Sequence, residues 1–313
     1  MRIDRWVRNN IGNIPQGLIE KNLRKGKIKL NKKKIKSSQK IKTNDQIDLF
    51  NFDFKETIVQ KKIKFQPSKE IIKSNEELII DNNDDFIVLN KNAGISVQGG
   101  TKSKKNLVDI FAKSEIFQNT KPFSVHRLDK DTSGVMVVAK NDAAHKGLSE
   151  QLSEKTMGRI YHTIVLNVPV PPTGAINKPL GRHPQSRMKQ AVLRYGGRDA
   201  VTNYKTLDIF RDNFALVECR LETGRTHQIR VHMQEKGLPV LGDPVYGPQA
   251  TAVKGALKRG GWDEDITEVV TGFKRQALHA KELFFEHPIL KKDMSFSSGY
   301  PSDIHGLIES LSK

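Results

Sequence analysis

Ile3, Trp6 and Val7 recur at helical spacing, and a second helical pattern starts near Pro15, turns Leu18, Ile19 and Leu23 inward and stops at Gly26. The period then changes to two, with Ile28 alternating with Leu30 and Ile47 with Leu49, which predicts two short strands. From 65 to 77 the periodicity is lost, and Pro67, Ser68 and charged residues mark a linker. Apolar runs resume over 78–80 and 86–89 around Asn82, Asn83 and Asp84, a hairpin signature. Further strands are predicted over 124–126, 135–139, 159–166, 214–222 and 283–286. One helix opens at Asp142 with Leu148 and Leu152 inward. Another opens near Thr226 with Ile229 and Met233 inward and closes at Gly237. Hairpins with intervening helices predict an α+β fold divided into a small domain over 1–64, a linker over 65–77 and a larger domain over 78–313. No internal repeat is visible.

Charge alters this picture mainly through its position. The chain carries 53 Lys and Arg against 35 acids, a net charge of +18, which suggests a polyanionic partner such as nucleic acid. Residues 1–70 hold fifteen Lys and four Arg against seven acids, so +12 of the total lies in the first quarter. Lys32, Lys33, Lys34 and Lys36 would on their own merely solvate a hairpin, but here two helices with basic residues lead into it. There is no apolar run of transmembrane length and no short apolar signal core behind Met1, which predicts a soluble, cytoplasmic protein without a membrane partner. Cys219 is the only cysteine, so neither an internal disulfide nor a thiolate metal cluster can form. It shares a strand face with Val217 and Leu221, as a core residue does.

The segment His126-Arg127-Leu128-Asp129-Lys130-Asp131-Thr132-Ser133-Gly134 sets charge, turn formers and a glycine between two apolar strands, so a carboxylate is displayed on a constrained loop. On spacing alone it reads as a charged turn in which Asp131 and Thr132 cap backbone groups. Asp129-Lys130-Asp131-Thr132 also fits the pattern of aspartyl-phosphate phosphotransferases. Those enzymes place the pair after a continuous apolar strand, which His126 and Arg127 interrupt here.

The same nine residues resemble the signature of an RNA pseudouridine synthase family that acts on large-subunit ribosomal RNA. Asn90-Lys91-Asn92-Ala93-Gly94 is similar to the family's opening turn, with Asn92 where proline is usual and a looser turn expected from it. Arg159-Ile160-Tyr161, the run from Leu221 to His232 and Arg275-Gln276-Ala277-Leu278-His279-Ala280 continue the likeness in order. Residues 1–60 resemble the alpha-L RNA-binding module of a small-subunit ribosomal protein and tyrosyl-tRNA synthetases, in which the second helix and following turn grip RNA phosphates. Lys25 and Lys27 occupy that place. The resemblance implies a mixed, mainly antiparallel sheet with flanking helices and the isomerisation of uridines in 23S rRNA or an assembling large subunit. It makes Asp129 the nucleophile, gives Tyr161 the ring against the base, and assigns Arg230 to keep Asp129 charged, with Arg225 as the backup. Arg127 would fill the space that the base leaves.

The residue types suit that chemistry independently. Moving uracil from a nitrogen link to a carbon link involves no net redox change or energy input, so no cofactor is needed. An ionised carboxylate can attack the ring carbon or the anomeric carbon, or assist loss of a ribose proton, and the sequence does not choose. Desolvation raises a carboxylate's pKa, so a nearby cation must oppose it. An extruded base is held by stacking and edge contacts, for which Tyr161 supplies a ring. His126, His227, His232 and His279 lack metal-ligand spacing and are expected to be structural, with no metal site. A non-catalytic assembly factor with a dead synthase domain is the remaining alternative, opposed by the intact set of Asp129, Tyr161 and Arg230.

Overall fold

Separate sets of apolar side chains organise the two ends of the chain. The computed structural model describes residues 1–12, 14–51, 65–99, 105–117, 120–186 and 188–313, and backbone contacts divide the chain into two compact units, Met1–Lys64 and Phe65–Lys313. The first unit contains α1 (Ile3–Asn10), α2 (Gln16–Lys25), β1 (Ile28–Leu30) and β2 (Ile47–Leu49). Ile3 and Val7 lie one turn apart on α1, as do Ile19 and Leu23 on α2. They close a small core with Ile14 and Ile28. α2 ends at Gly26, whose left-handed φ of 73° suits a residue without Cβ. β1 and β2 pair antiparallel, Ile28 opposite Leu49 and Leu30 opposite Ile47. The connection between them exposes Lys32, Lys33, Lys34, Lys36 and Lys40. Residues 52–64, the end of the domain expected over 1–64, lie outside the described residues.

The second unit corrects the expected linker. α3 (Lys69–Glu76) forms there, with the Ser68 hydroxyl accepting from the Ile71 N–H at 3.4 Å as its N-cap. Its inward side consists of Ile71, Ile72 and the buried Asn75, too weak a stripe to stand out in the sequence. The strands of this unit are β3 (Ile79–Asn82), β4 (Phe86–Lys91), β5 (Phe123–Ser124), β6 (Ser133–Ala139), β7 (Gly158–Leu166), β8 (Thr173–Asn177), β9 (Leu180–Arg182), β10 (Gln190–Val192), β11 (Val201–Phe210), β12 (Phe214–Leu221), β13 (Leu278–Glu286) and β14 (Asp293–Ser297). Its remaining helices are α4 (Leu107–Phe111), α5 (Asp142–Glu154), α6 (Gln228–Glu235), α7 (Ala250–Gly260), α8 (Glu264–Gly272) and α9 (Ser302–Leu311).

One large sheet runs in the order β3-β4-β6-β13-β7-β12-β11-β8, with β14 on β13 and β5 on β6, while β9 and β10 form a separate pair. Among the described strands of the sheet, β13 and β6 pair parallel and the other neighbours antiparallel. The alternation along each strand shows why helices cover both faces. Ile87, Leu89, Met136, Val138, Tyr161, Val165, Ala215, Val217 and Cys219 enter one core with residues of α4 and α6. Their neighbours Phe86, Val88, Val135 and Val137 pack with Ala144 and Leu148 of α5 on the other face. Ile164, Leu166, Phe214 and Leu216 do the same with α7, α8 and α9. Burial raises the Cys219 thiol well above its ordinary range, as befits a core residue. Gly134 has a φ of +115°, and a Cβ there would lie 2.1 Å from the Ala280 carbonyl oxygen. Glycine therefore lets β6 meet β13 directly after the loop that bears Asp129. Among the described residues, no helix is long and apolar enough to cross a membrane.

Candidate active site

Between β5 and β6 the loop alternates in burial. Leu128 is buried in the core on the α6 side of the sheet, which leaves Arg127 exposed and Asp129 half-sheltered. Several bonds fix this loop from beneath. The fully buried Lys91 ammonium donates to the carbonyls of Asn92, Ile95 and Lys130 at 2.8, 3.1 and 3.0 Å, tying the opening turn to the residue after Asp129. Arg275 donates to the Asp131 carbonyl at 3.1 Å, and Gln276 donates to the Thr132 hydroxyl at 3.1 Å. The Thr132 N–H closes a turn onto the Asp129 carbonyl at 3.1 Å. The carboxylate is thus displayed by a braced backbone.

Its charge partner comes from α6. Ile229 and Met233 of that helix enter the core, and Arg230 turns into the pocket with its side chain 5% exposed. Arg230 Nη1 donates to Asp129 Oδ2 at 2.9 Å. Its other face is held by Asp243, with Nε to Oδ2 at 2.6 Å and Nη2 to Oδ1 at 2.8 Å. Asp243 also accepts from the N–H groups of Val245 and Tyr246 at 2.8 and 3.0 Å. Burial pushes the Asp243 carboxyl upward, but these bonds outweigh it and the pKa falls below 3.8. Burial likewise opposes the Arg230 charge, and Asp243 and Asp129 more than restore it, leaving the guanidinium's pKa raised. The cation is therefore fixed as well as buried, and it pairs with Asp129.

The structure brings Asp129, Tyr161, Arg230, Arg127 and Arg225 around one cavity of about 450 Å³, a size suited to a small ligand. Tyr161 projects from β7, and burial raises its phenol pKa. Arg225 donates from Nε to the Asp199 carbonyl at 3.0 Å. Lys25 and Lys27 lie in the first unit, Lys25 exposed in the last turn of α2 and Lys27 donating to the Asn51 carbonyl at 2.9 Å.

Two groups escaped the sequence reading. Asp243 sits in an apolar stretch and turn, 238–245, with nothing in its spacing to connect it to Arg230. His227, expected to be structural, lines the cavity. Its Nε2 is 4.0 Å from Asp129 Oδ1, and its Nδ1 is 2.9 Å from the Tyr246 hydroxyl. It sits at the N-cap of α6 with a left-handed φ of 57°, a conformation the sequence does not display. Burial lowers its pKa despite the nearby Asp129, so the ring is neutral at neutral pH. His232 and His279 serve the scaffold. His232 joins the Thr202 hydroxyl to the Lys178 carbonyl, and His279 joins the hydroxyls of Ser133 and Ser298. Among the described residues no cluster of three or more His, Cys, Asp or Glu side chains is arranged to hold a metal.

Comparison with known proteins places this geometry. Residues 85–235, which include Asp129, Tyr161 and Arg230, match the family model described as RNA pseudouridylate synthase. The ribosomal large subunit pseudouridine synthase D of Xanthomonas campestris is 44% identical over 233 residues, covering 73% of this chain and 67% of that protein. An uncharacterized RNA pseudouridine synthase of Bacillus subtilis is 34% identical along 100% of this chain and 94% of its own length. The human RNA pseudouridylate synthase domain containing 4 shares the fold, with a TM-score of 0.60 at 24% identity over 77% of this chain and 95% of that one. With relatives of this similarity along its length, and an acid, a tyrosine and an arginine gathered in one cavity, the chain belongs to the RNA pseudouridine synthase family.

Proposed function

We propose that this protein isomerises specific uridines to pseudouridine in large-subunit (23S) ribosomal RNA, free or within an assembling subunit in the cytoplasm, with Asp129 as the nucleophile. The observation that carries the reading is the Asp129 carboxylate, braced by Arg230 at 2.9 Å at the edge of a cavity large enough to admit a nucleobase. The substrate follows the name of the Xanthomonas campestris relative, a ribosomal large subunit pseudouridine synthase.

The geometry divides the work between the two carboxylate oxygens. Oδ2 is held by Arg230, while Oδ1 has, among the described residues, only the His227 ring at 4.0 Å and remains open to substrate. The reaction breaks the bond from the ribose anomeric carbon to N1 and forms one to C5. The C5 proton leaves, N1 gains a proton, and no electrons are exchanged. Attack on the ring, attack on the sugar and assisted loss of a ribose proton would each use Oδ1. Tyr161 packs its ring against the extruded base, and Arg127, exposed beside Asp129, fills the gap left in the RNA. The first unit, with Lys25, Lys27 and the exposed lysines after β1, holds the RNA through its phosphates.

The test is Asp129→Asn on large-subunit rRNA transcripts, with pseudouridine mapped chemically. The variant should bind RNA as the parent does and form no pseudouridine. Turnover near that of the parent would remove Asp129 from the mechanism.

A further inference from the structure

One wall of the cavity holds polar groups that the chemistry above does not use. Arg159 lies on β7 two residues before Tyr161, so both side chains project from the same face of the strand. It is only 6% exposed, yet its guanidinium makes no hydrogen bond or ion pair with any described residue, and its Nε is buried without a partner. Burial lowers its pKa and the charge of Arg225 adds to that, but an arginine stays protonated. A buried, unpaired charge is among the costliest features a fold can hold, so an acceptor entering the cavity that Arg159 lines would lower that cost. Nη1 packs against Gly224, where a Cβ would stand 2.5 Å away.

Next to it, His126 tells the same story without charge. Its Nε2 accepts from the Val137 N–H at 3.2 Å, so the proton of the neutral ring sits on Nδ1, which is buried and also has no partner. Burial pushes its pKa down to about 3, so it stays neutral. Both residues present donors, so this wall of the cavity favours an acceptor. Uracil is uncharged and gives no reason for two guanidiniums side by side. Of the arginines lining the cavity, Arg230 is balanced by Asp243 and Asp129, whereas Arg127, Arg159 and Arg225 face no carboxylate among the described residues.

We propose that Arg159, together with Arg225, forms a phosphate subsite that takes one backbone phosphodiester of the RNA beside the extruded nucleotide. The planar fork of Arg159 matches two phosphate oxygens, and Gly224 leaves the space for it. Anchoring the backbone there fixes the sugar of the reacting nucleotide relative to Asp129. The inference rests on the RNA substrate proposed above.

The experiment measures kcat and KM for pseudouridine formation on a large-subunit rRNA transcript by the full-length protein, between about 50 and 200 mM salt. Arg159→Gln should lower kcat/KM about ten- to one-hundred-fold at the low end. It should also flatten the slope of log kcat/KM against log salt by about 0.7 to 0.9, the share of one phosphate. Arg159→Lys should keep the slope, and Arg159→Met should melt no lower than the parent, because no internal bond is lost. An Arg159→Gln enzyme that loses activity at an unchanged slope would overturn the phosphate assignment in favour of a contact to the base. An Arg159→Met protein melting several degrees lower would overturn it in favour of a scaffold role. Parent protein that forms no pseudouridine in any such transcript would remove the proposed function and this subsite together. An active parent with an unaltered Arg159→Gln slope removes the subsite alone.

Discussion

Replacing Asp243 by asparagine keeps the shape of the side chain and removes its charge, which isolates the support that Arg230 receives from behind. Oδ1 of Asp243 accepts from Val245, Tyr246 and Arg230 Nη2, and an amide oxygen can keep all three. Oδ2 accepts from Arg230 Nε at 2.6 Å, and there the amide would set an N–H against an N–H. Arg230 would then be a buried cation with Asp129 as its sole counter-ion. Breaking a buried pair costs about 3–5 kcal/mol, and the surviving Asp129 contact places this case at the low end, about 3 kcal/mol. For a unit of this size that lowers the melting temperature by about 6–12 °C. Catalysis should fall by up to about a hundredfold, because a guanidinium released on one side no longer fixes Asp129 Oδ2 in place. The acid side gives a second check. The folded Asp243 carboxyl binds its proton less tightly than the unfolded one, so its contribution is complete above the ordinary value of 3.8 and is lost as pH falls through the lowered folded value. The gap in stability between parent and variant should be flat from neutral pH down to about 4 and close below it. Calorimetry across pH together with rRNA turnover measures both. A variant that melts within about 2 °C of the parent and retains its kcat would refute the idea that Asp243 positions Arg230.

The other predictions use the same transcript. Tyr161→Phe should keep most of the activity, whereas Tyr161→Leu should lose about 1–3 kcal/mol of substrate stabilisation, read from kcat/KM; equal losses would exclude ring stacking as the main contribution. Lys25→Ala combined with Lys27→Ala should weaken RNA binding and flatten its salt slope by about 1.4–1.8, two phosphates' worth, without lowering kcat at saturating RNA. An unchanged slope would show that these lysines do not meet the backbone.

What could be read from the chain before its structure follows from the range of the forces involved. Gly26 as a helix stop, the inward face of Cys219 and the strand from 135 to 139 rest on local rules of backbone conformation and burial, and they appear where those rules put them. Asp129 was legible because a constrained, charged loop between apolar strands is itself a local pattern. α3 and the first half of β13 were hidden because polar groups occupied their inward positions. α3 turns Asn75 inward, and β13 begins at Leu278 with His279, whose ring is accommodated only because Ser133 and Ser298 arrive from distant strands. The same reasoning explains why Asp243 escaped notice and why Arg159, named beside Tyr161, had no role of its own. Asp243 acquires meaning from a guanidinium thirteen residues away that becomes its neighbour through the turn after α6. Arg159 acquires its meaning from a partner that the fold omits. A sequence displays donors and acceptors one residue at a time, but whether a buried charge has been answered depends on the whole assembly around it. An unanswered charge in that assembly says more about the ligand than a satisfied one does.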